Sequence, residues 1–236
     1  MDALKMRNTT IIAIGGGGFT HSDFPALDDF CLEQLPAKYP RIGFIASASN
    51  DNQLRIERFH TRFDRLAKEH IHLPMTLDAQ ELATAVSRLN MVYVGGGDTE
   101  AMLRHWRTNG WDQVLGQAAG NDVVLAGVSA GAVCWFDMFL FHTGFGPMRP
   151  LAGLGLIQGG ACPHYSTETQ RRTALHAAVA DGTMPTSIAI DDGAAVVFRS
   201  GEPPLVFSAN EGAGAYRVKV DGTGTTSEKS LVGIGR

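Results

Sequence analysis

Cysteine is scarce in this chain. There are three in 236 residues, Cys31, Cys134 and Cys162, and no C-x-x-C pair. That spacing argues against a zinc knuckle, a thioredoxin-like redox motif and a disulfide-stapled secreted scaffold. Basic charge is also short. Twenty Lys and Arg stand against 24 Asp and Glu, a net charge of −4, which argues against a nucleic-acid partner. No apolar run approaches the roughly 18 residues of a membrane span. The N-terminal MDALKMRNTT lacks the apolar core of a signal peptide. These absences point to a cytoplasmic protein with neither a nucleic-acid nor a membrane partner. Internal repeats and linkers are missing too, so 1–236 reads as one domain, long enough to bury its own core.

Glycine is plentiful. The chain has 28, and the clusters Gly15–Gly18, Gly95–Gly97 and Gly127/Gly131 each follow a short β-branched run. Strand-to-loop corners of α/β proteins have this form. Strands are predicted at Thr10–Ile14, Arg41–Ala46, Met91–Val94, Val123–Ala126, Ser187–Ile190 and Ala194–Arg199. Helices are predicted near Pro25–Gln34, Gln53–Glu69, Asp78–Leu89 and from Asp98 or Thr99 to about Arg107. Further helices are predicted from Ser129 onward and over Thr167–Asp181. The arginines at 55, 58, 62 and 65 read as a solvated helix face. Phe139–Gly155 reads as irregular. Leu205–Phe207 and Gly214–Val220 read as a hairpin-like pair, and the tail from Asp221 as loose. Strands alternating with helices imply a doubly wound, mostly parallel sheet flanked by helices. Ligands of such sheets bind at the carboxyl ends of the strands, where the glycine clusters fall.

The sharpest chemical signal is Gly127-Val128-Ser129-Ala130-Gly131. It matches G-x-S-x-G between a predicted strand and a predicted helix. A nucleophile on such a turn has a strained backbone and small neighbours. The helix N-terminus behind it aims free N–H groups at developing negative charge. The plainer reading is an ordinary glycine-rich corner. A second donor for an oxyanion is available at Gly95–Gly97, where backbone can approach a ligand closely. A phosphate cradle is the weaker reading of both glycine loops, since there is no G-K-[ST] and no G-x-G-x-x-G.

A serine needs a base. Of eight histidines, His60, His70, His72 and His105 have surface readings, and His176 sits in a helical pattern among alanines. His21 and His142 stay open. His164 stands out after Pro163, which blocks a helical or central-strand reading. An acid partner is offered by Asp191-Asp192-Gly193 at a strand end, which could equally be a plain Asp-Gly turn. The order Ser…His…Asp disfavours an ordinary α/β-hydrolase, in which histidine comes last.

The stretches IIAIGGGGF, VYVGGGDTEAML, AGVSAGAV, CPHYSTETQRR and IAIDDGAAV together resemble the peptidase E and cyanophycinase family of serine peptidases. They occur in the same order and span residues 11–198. The resemblance implies a class I glutamine-amidotransferase-like α/β fold with serine in place of the amidotransferase cysteine. It implies Ser129 as nucleophile, His164 as base, and the N–H groups of Gly97 and Ala130 as oxyanion hole, with no metal or organic cofactor. The acid favoured is Asp192, at the acid-Gly position, where the peptidase E pattern carries glutamate; the adjacent Asp191 leaves that assignment open. The expected substrate is a short peptide, with Asp-X dipeptides as the specific form, cleaved by a monomer or homodimer. Tyr165 and Arg171 are the candidate substrate contacts. The segment holding the family's aspartate-binding arginine is shortened here to Ser166–Arg172, with Glu168 in it, which puts a strict aspartyl preference in question. Two rivals stand beside this reading. One is a cyanophycinase-like hydrolase of another acyl or β-aspartyl bond; the other is a non-catalytic module for a small anion.

Overall fold

The computed structural model describes Leu4 and residues 9–144 and 146–234. Most of the N-terminal stretch read above for a leader, and the last two residues of the tail, lie outside the described residues. The strands in chain order are β1 (Thr10–Ile14), β2 (Arg41–Ile45), β3 (Glu69–His72), β4 (Met91–Val94), β5 (Val124–Val128), β6 (Phe136–Phe141) and β7 (Arg149–Ala152). They continue with β8 (Ile157–Cys162), β9 (Ser187–Ile190), β10 (Ala194–Arg199), β11 (Leu205–Ser208), β12 (Ala215–Val220), β13 (Thr226–Ser230) and β14 (Gly233–Ile234). The helices are α1 (Ala26–Glu33), α2 (Gln53–Phe63), α3 (Ala79–Val86), α4 (Thr99–Asn109), α5 (Trp111–Ala119), α6 (Ala130–Val133) and α7 (Gln170–Ala180).

The main sheet has the order β14-β11-β10-β1-β5-β4-β2-β3. Its five neighbours β1, β5, β4, β2 and β3 are all parallel. Their side chains alternate between two cores. Ile12, Ile14, Phe44 and Tyr93 face α1 and α2, where Leu27, Phe59 and Phe63 are buried. Ile11, Ala13, Val92 and Val94 face the opposite way, toward α3, α4, α5 and Phe136, Phe139 and Ile188 of a second sheet. Burial on both faces explains why these strands read as continuous apolar runs. Local signals start and stop the helices. Asn52 accepts the Arg55 N–H at the start of α2. Asp78 and Glu81 form a capping box on α3, and Asp98 caps α4 by accepting the Ala101 N–H.

The second sheet, ordered β13-β12-β9-β8-β6-β7, was not foreseen as a separate layer. It takes in β6 and β7 from the stretch expected to be irregular; Phe145 in that stretch is outside the described residues. Helix α7 covers its outer face through Leu175 and Val179. Leu205–Ser208 and Ala215–Val220 do not form the expected hairpin. β11 pairs with β10, while β12 crosses to the second sheet beside β9. The tail expected to be loose contains β13, paired with β12 over Thr226–Ser230, and β14, paired with β11. Among the described residues, no helix is long and apolar enough to cross a membrane.

Candidate active site

Ser129 sits between β5 and α6 with φ 55° and ψ −111°, a conformation costly for a residue with a side chain. Its N–H is tied to the Ile14 carbonyl at 2.9 Å, and its own carbonyl accepts from Ala132 and Val133. The turn therefore holds the serine where free chain would not go. The pentapeptide's small residues have a direct cause: a Cβ on Gly131 would lie 2.2 Å from the Val94 carbonyl oxygen, so α6 could not start against β4 with any other residue there.

His164 follows β8, also at positive φ (51°). Its Nε2 lies 2.8 Å from Ser129 Oγ, and its Nδ1 lies 2.6 Å from Asp192 Oδ1. Thr167 donates to the other Asp192 oxygen at 2.7 Å. Burial pushes the Asp192 carboxyl up, but the bonds from His164 and Thr167 outweigh it and hold the group below its ordinary value. The first glycine cluster fits closely around this pair. A Cβ on Gly16 would fall 1.9 Å from Asp192 Oδ1 and 2.7 Å from His164 Nδ1. Asp191 points elsewhere: it accepts from Ser166, from Tyr216 at 3.0 Å and from the Gly214 N–H at 3.0 Å. The choice between the two aspartates, open in the sequence, is thus decided geometrically for contact with His164.

A cavity of about 650 Å³ opens beside Ser129, with walls that include Gly97, His142, Met148, Glu168 and Arg171. Ala130 opens α6 directly after Ser129, where first-turn N–H groups have no intrahelical acceptor. Arg171 is only 5% exposed. Its Nε donates to Glu168 at 2.7 Å and its Nη1 to the Leu140 carbonyl at 3.2 Å. His142 Nδ1 lies 3.7 Å from the same Glu168 carboxylate. Tyr165 is a correction. Expected to touch substrate, it is fully buried, packs at a tilt against the Tyr216 ring and donates its hydroxyl to Glu228 at 2.6 Å. Its N–H pairs with the Ile190 carbonyl, which turns the ring into the core under α7, away from the cavity that His164 faces. Arg172 and His176 join that Glu228 cluster and do not reach the cavity.

Sequence reading missed one neighbour in part. The His21 ring lies 6.1 Å from that of His164, with Nδ1 near Thr20 Oγ1 and the Gly17 carbonyl. The same loop carries the Phe19 N–H, which donates to Asp28 at 3.0 Å. Burial pushes the Asp28 carboxyl up to about 7, against the pull of Arg62. Among the described residues, no three His, Cys, Asp or Glu side chains gather as metal ligands. All three cysteines are buried, and burial pushes the Cys162 thiol up to about 12.

The model of peptidase family S51 matches residues 11–205. The chain belongs to peptidase family S51. It is 40% identical over 210 residues to the uncharacterized peptidase YgaJ of Bacillus subtilis (strain 168), covering 88% of this chain and 91% of that one. Two crystal structures share the fold. One is a peptidase from an acI-B1 Actinobacterium, with a TM-score of 0.70, 18% identity, and coverage of 98% of this chain and 96% of the other. The second is a protein from Listeria monocytogenes EGD-e proposed to be a peptidase E, with a TM-score of 0.64, 16% identity, and coverage of 85% and 98%. As a member of family S51 the protein is a serine-type peptidase, with the doubly wound α/β architecture that these neighbours share.

Proposed function

We propose that this S51 member is a serine exopeptidase of short peptides that works through Ser129, His164 and Asp192. The observation that carries the reading is the unbroken line from Ser129 Oγ to His164 Nε2 at 2.8 Å and from His164 Nδ1 to Asp192 at 2.6 Å. Asp192, held ionised, accepts the Nδ1–H and fixes the tautomer whose Nε2 takes the serine proton. Ser129 Oγ then bonds to the scissile carbonyl carbon. The oxyanion accepts from the N–H groups of Gly97 and Ala130, in the role the oxyanion hole plays in acyl transfer. His164 returns its proton to the leaving amine as the C–N bond breaks. Water, deprotonated by the same imidazole, releases the acyl group and restores the serine.

The cavity supports the choice of a small substrate with one anchoring charge. Arg171 is its buried cation, and Glu168 occupies the guanidinium. The Glu168 side chain is 42% exposed, so it is free to swing into solvent. An aspartyl side chain entering the cavity would exchange one carboxylate for another on Arg171, and the contact would remain charge-assisted. Cleavage of Asp-X therefore rests on displacement of Glu168.

The deciding experiment has two parts. A serine-reactive phosphonate should label Ser129, and a panel of Asp-X, β-Asp-X, Ala-X and Leu-X should be cut fastest at Asp-X. Faster cleavage of the β-aspartyl members would favour the cyanophycinase-like alternative. Absence of labelling would remove serine catalysis.

A further inference from the structure

Two arginines of α2 have no carboxylate partner among the described residues, although the sequence placed them on a solvated face. Arg55 donates from Nη1 to the Gly96 carbonyl, and Arg58 donates to the Thr20 carbonyl at 3.0 Å. Arg62, one turn further on, shows the contrast, since Asp28 and Asp29 both pair with it. A carbonyl satisfies an N–H but leaves the positive charge unneutralised. Burial lowers the Arg55 guanidinium below its ordinary value, and the nearby charge of Arg58 lowers it further. The two cations thus sit close together at a cost that an anion between them would relieve.

Their attachments are informative. Gly96 precedes Gly97 and lies against Ser129, for a Cβ placed on it would meet Ser129 Oγ at 3.6 Å. Thr20 precedes His21, whose ring faces His164. In the strand order β1-β5-β4, these loops flank the serine on its two sides. The walls of the cavity with Arg171 include His142, Met148, His164 and Glu168 together with Gly97 and Ser129, and neither α2 arginine lines it. A peptide lying across Ser129 has two halves. If the acyl half enters that cavity, the leaving half runs toward α2.

A hollow of about 420 Å³ is present beside Arg58, walled also by Gly18, Ser22 and Leu54, while Arg55 lies outside its walls, toward Gly96. Leu54 is one of four large apolar residues left exposed among the described residues. Asp23 and Glu57 also lie on its walls, and neither bridges to Arg58; Gln53 donates to Glu57.

We infer that Arg55 and Arg58 bind the free C-terminal carboxylate of the leaving amino acid, whose side chain lies along Leu54, and so restrict the enzyme to dipeptides. This inference rests on the proposed serine mechanism. The chemistry is that of a carboxylate held by two guanidinium groups, which gives stronger hydrogen bonds than neutral partners. A C-terminal amide presents no charge to them, and a longer peptide places its carboxylate beyond them.

The test compares Asp-Leu and Ala-Leu with their C-terminal amides. The free acids should show kcat/KM roughly 10- to 100-fold higher, mostly through KM. Arg58→Gln and Arg55→Gln should each bring the acid-to-amide ratio toward one. Equal rates for acid and amide in the wild type would overturn the assignment. So would variants that lose acid and amide cleavage in parallel with the ratio intact, because the arginines would then only tether the two loops. Calorimetry on Ser129→Ala provides a readout without turnover. It should show tighter binding of the free acid, and equal affinity or no binding of either form would overturn the inference. Phosphonate labelling of Ser129 needs no carboxylate. Its failure would strike the serine mechanism, while labelling without an acid-to-amide difference would strike only the arginine site.

Discussion

Asp192 and not Asp191 holds His164, with Oδ1 2.6 Å from Nδ1, while Asp191 turns to Tyr216 and Gly214. The two neighbours therefore separate by experiment. Asp192→Asn keeps the shape but favours the wrong imidazole tautomer, and kcat should fall about 10⁴-fold. Asp191→Asn should leave kcat within about tenfold and lower the Tm by several degrees, since it weakens a buried carboxylate with three donors. Steady-state kinetics and a thermal melt on both variants check the assignment; a reversed pattern would move the acid to Asp191.

Ser129 is held at φ 55° and ψ −111° by its neighbours. Glycine adopts that conformation without penalty, so Ser129→Gly should abolish turnover and stabilise the fold by about 1 kcal/mol. Denaturant melts of the wild type and variant would measure the gain. A less stable variant would mean that the turn stores no strain.

The pH dependence of kcat/KM has a defined acid limb. Asp192 is held below its ordinary value by the bonds from His164 and Thr167. Activity should fall at acid pH with one ionisation, and His164→Ala should lose activity as well as the limb. His176→Ala should retain turnover, because His176 contacts Thr226 and Glu228 on the far side of α7. A steeper, two-proton limb would show that Asp192 titrates with its partner.

Charge preference should follow the Arg171–Glu168 pair. Arg171→Ala should reduce Asp-X cleavage at least tenfold more than Ala-X cleavage. Glu168→Gln should raise the Asp-X to Ala-X ratio, because it removes the resident competitor. An unchanged ratio in both variants would leave a small-peptide hydrolase without aspartyl selectivity.

Stability should decline between about pH 4 and pH 7 through Asp28. Burial raises its folded-state value to about 7, so the folded chain keeps a proton that the unfolded chain releases. Over that window the unfolded state binds fewer protons, and stability is lost as pH rises. Asp28→Asn should flatten the slope of Tm against pH over the same window. An equal slope would place the charge cost elsewhere.

Much of the main sheet was legible because its strands are short β-branched runs ended by glycine. Thr10–Ile14, Met91–Val94 and Ala194–Arg199 of that sheet fall where the pattern puts them, as does Ser187–Ile190 of the second. That Ser129, His164 and Asp192 would converge was legible from the turn, the proline and the strand end that carry them. Most of the second sheet was not, nor was β3 at the edge of the main sheet. β8 has the sequence IQGGAC, and β3 is EHIH, half-buried throughout. Neither has an alternating or continuous apolar signature, and both are fixed by distant partners. Likewise no local signal says that β12 leaves β11 for β9. Tyr165 was misread because adjacency to His164 says nothing about direction: its N–H pairs with Ile190 and its ring turns inward. The arginines of α2 were misread because a helical wheel does not show which loops will close over its first turn.

Ser129 and Gly97 hang from β5 and β4 of the main sheet, whereas His164 and Asp192 hang from β8 and β9 of the second. On the proposed mechanism, hydrolysis is thus a property of the seam between two layers, owned by neither. A nascent or damaged chain that has built only one layer carries a serine without a base, or a base without a serine. On that mechanism, cleavage therefore waits until both layers are built and packed against each other.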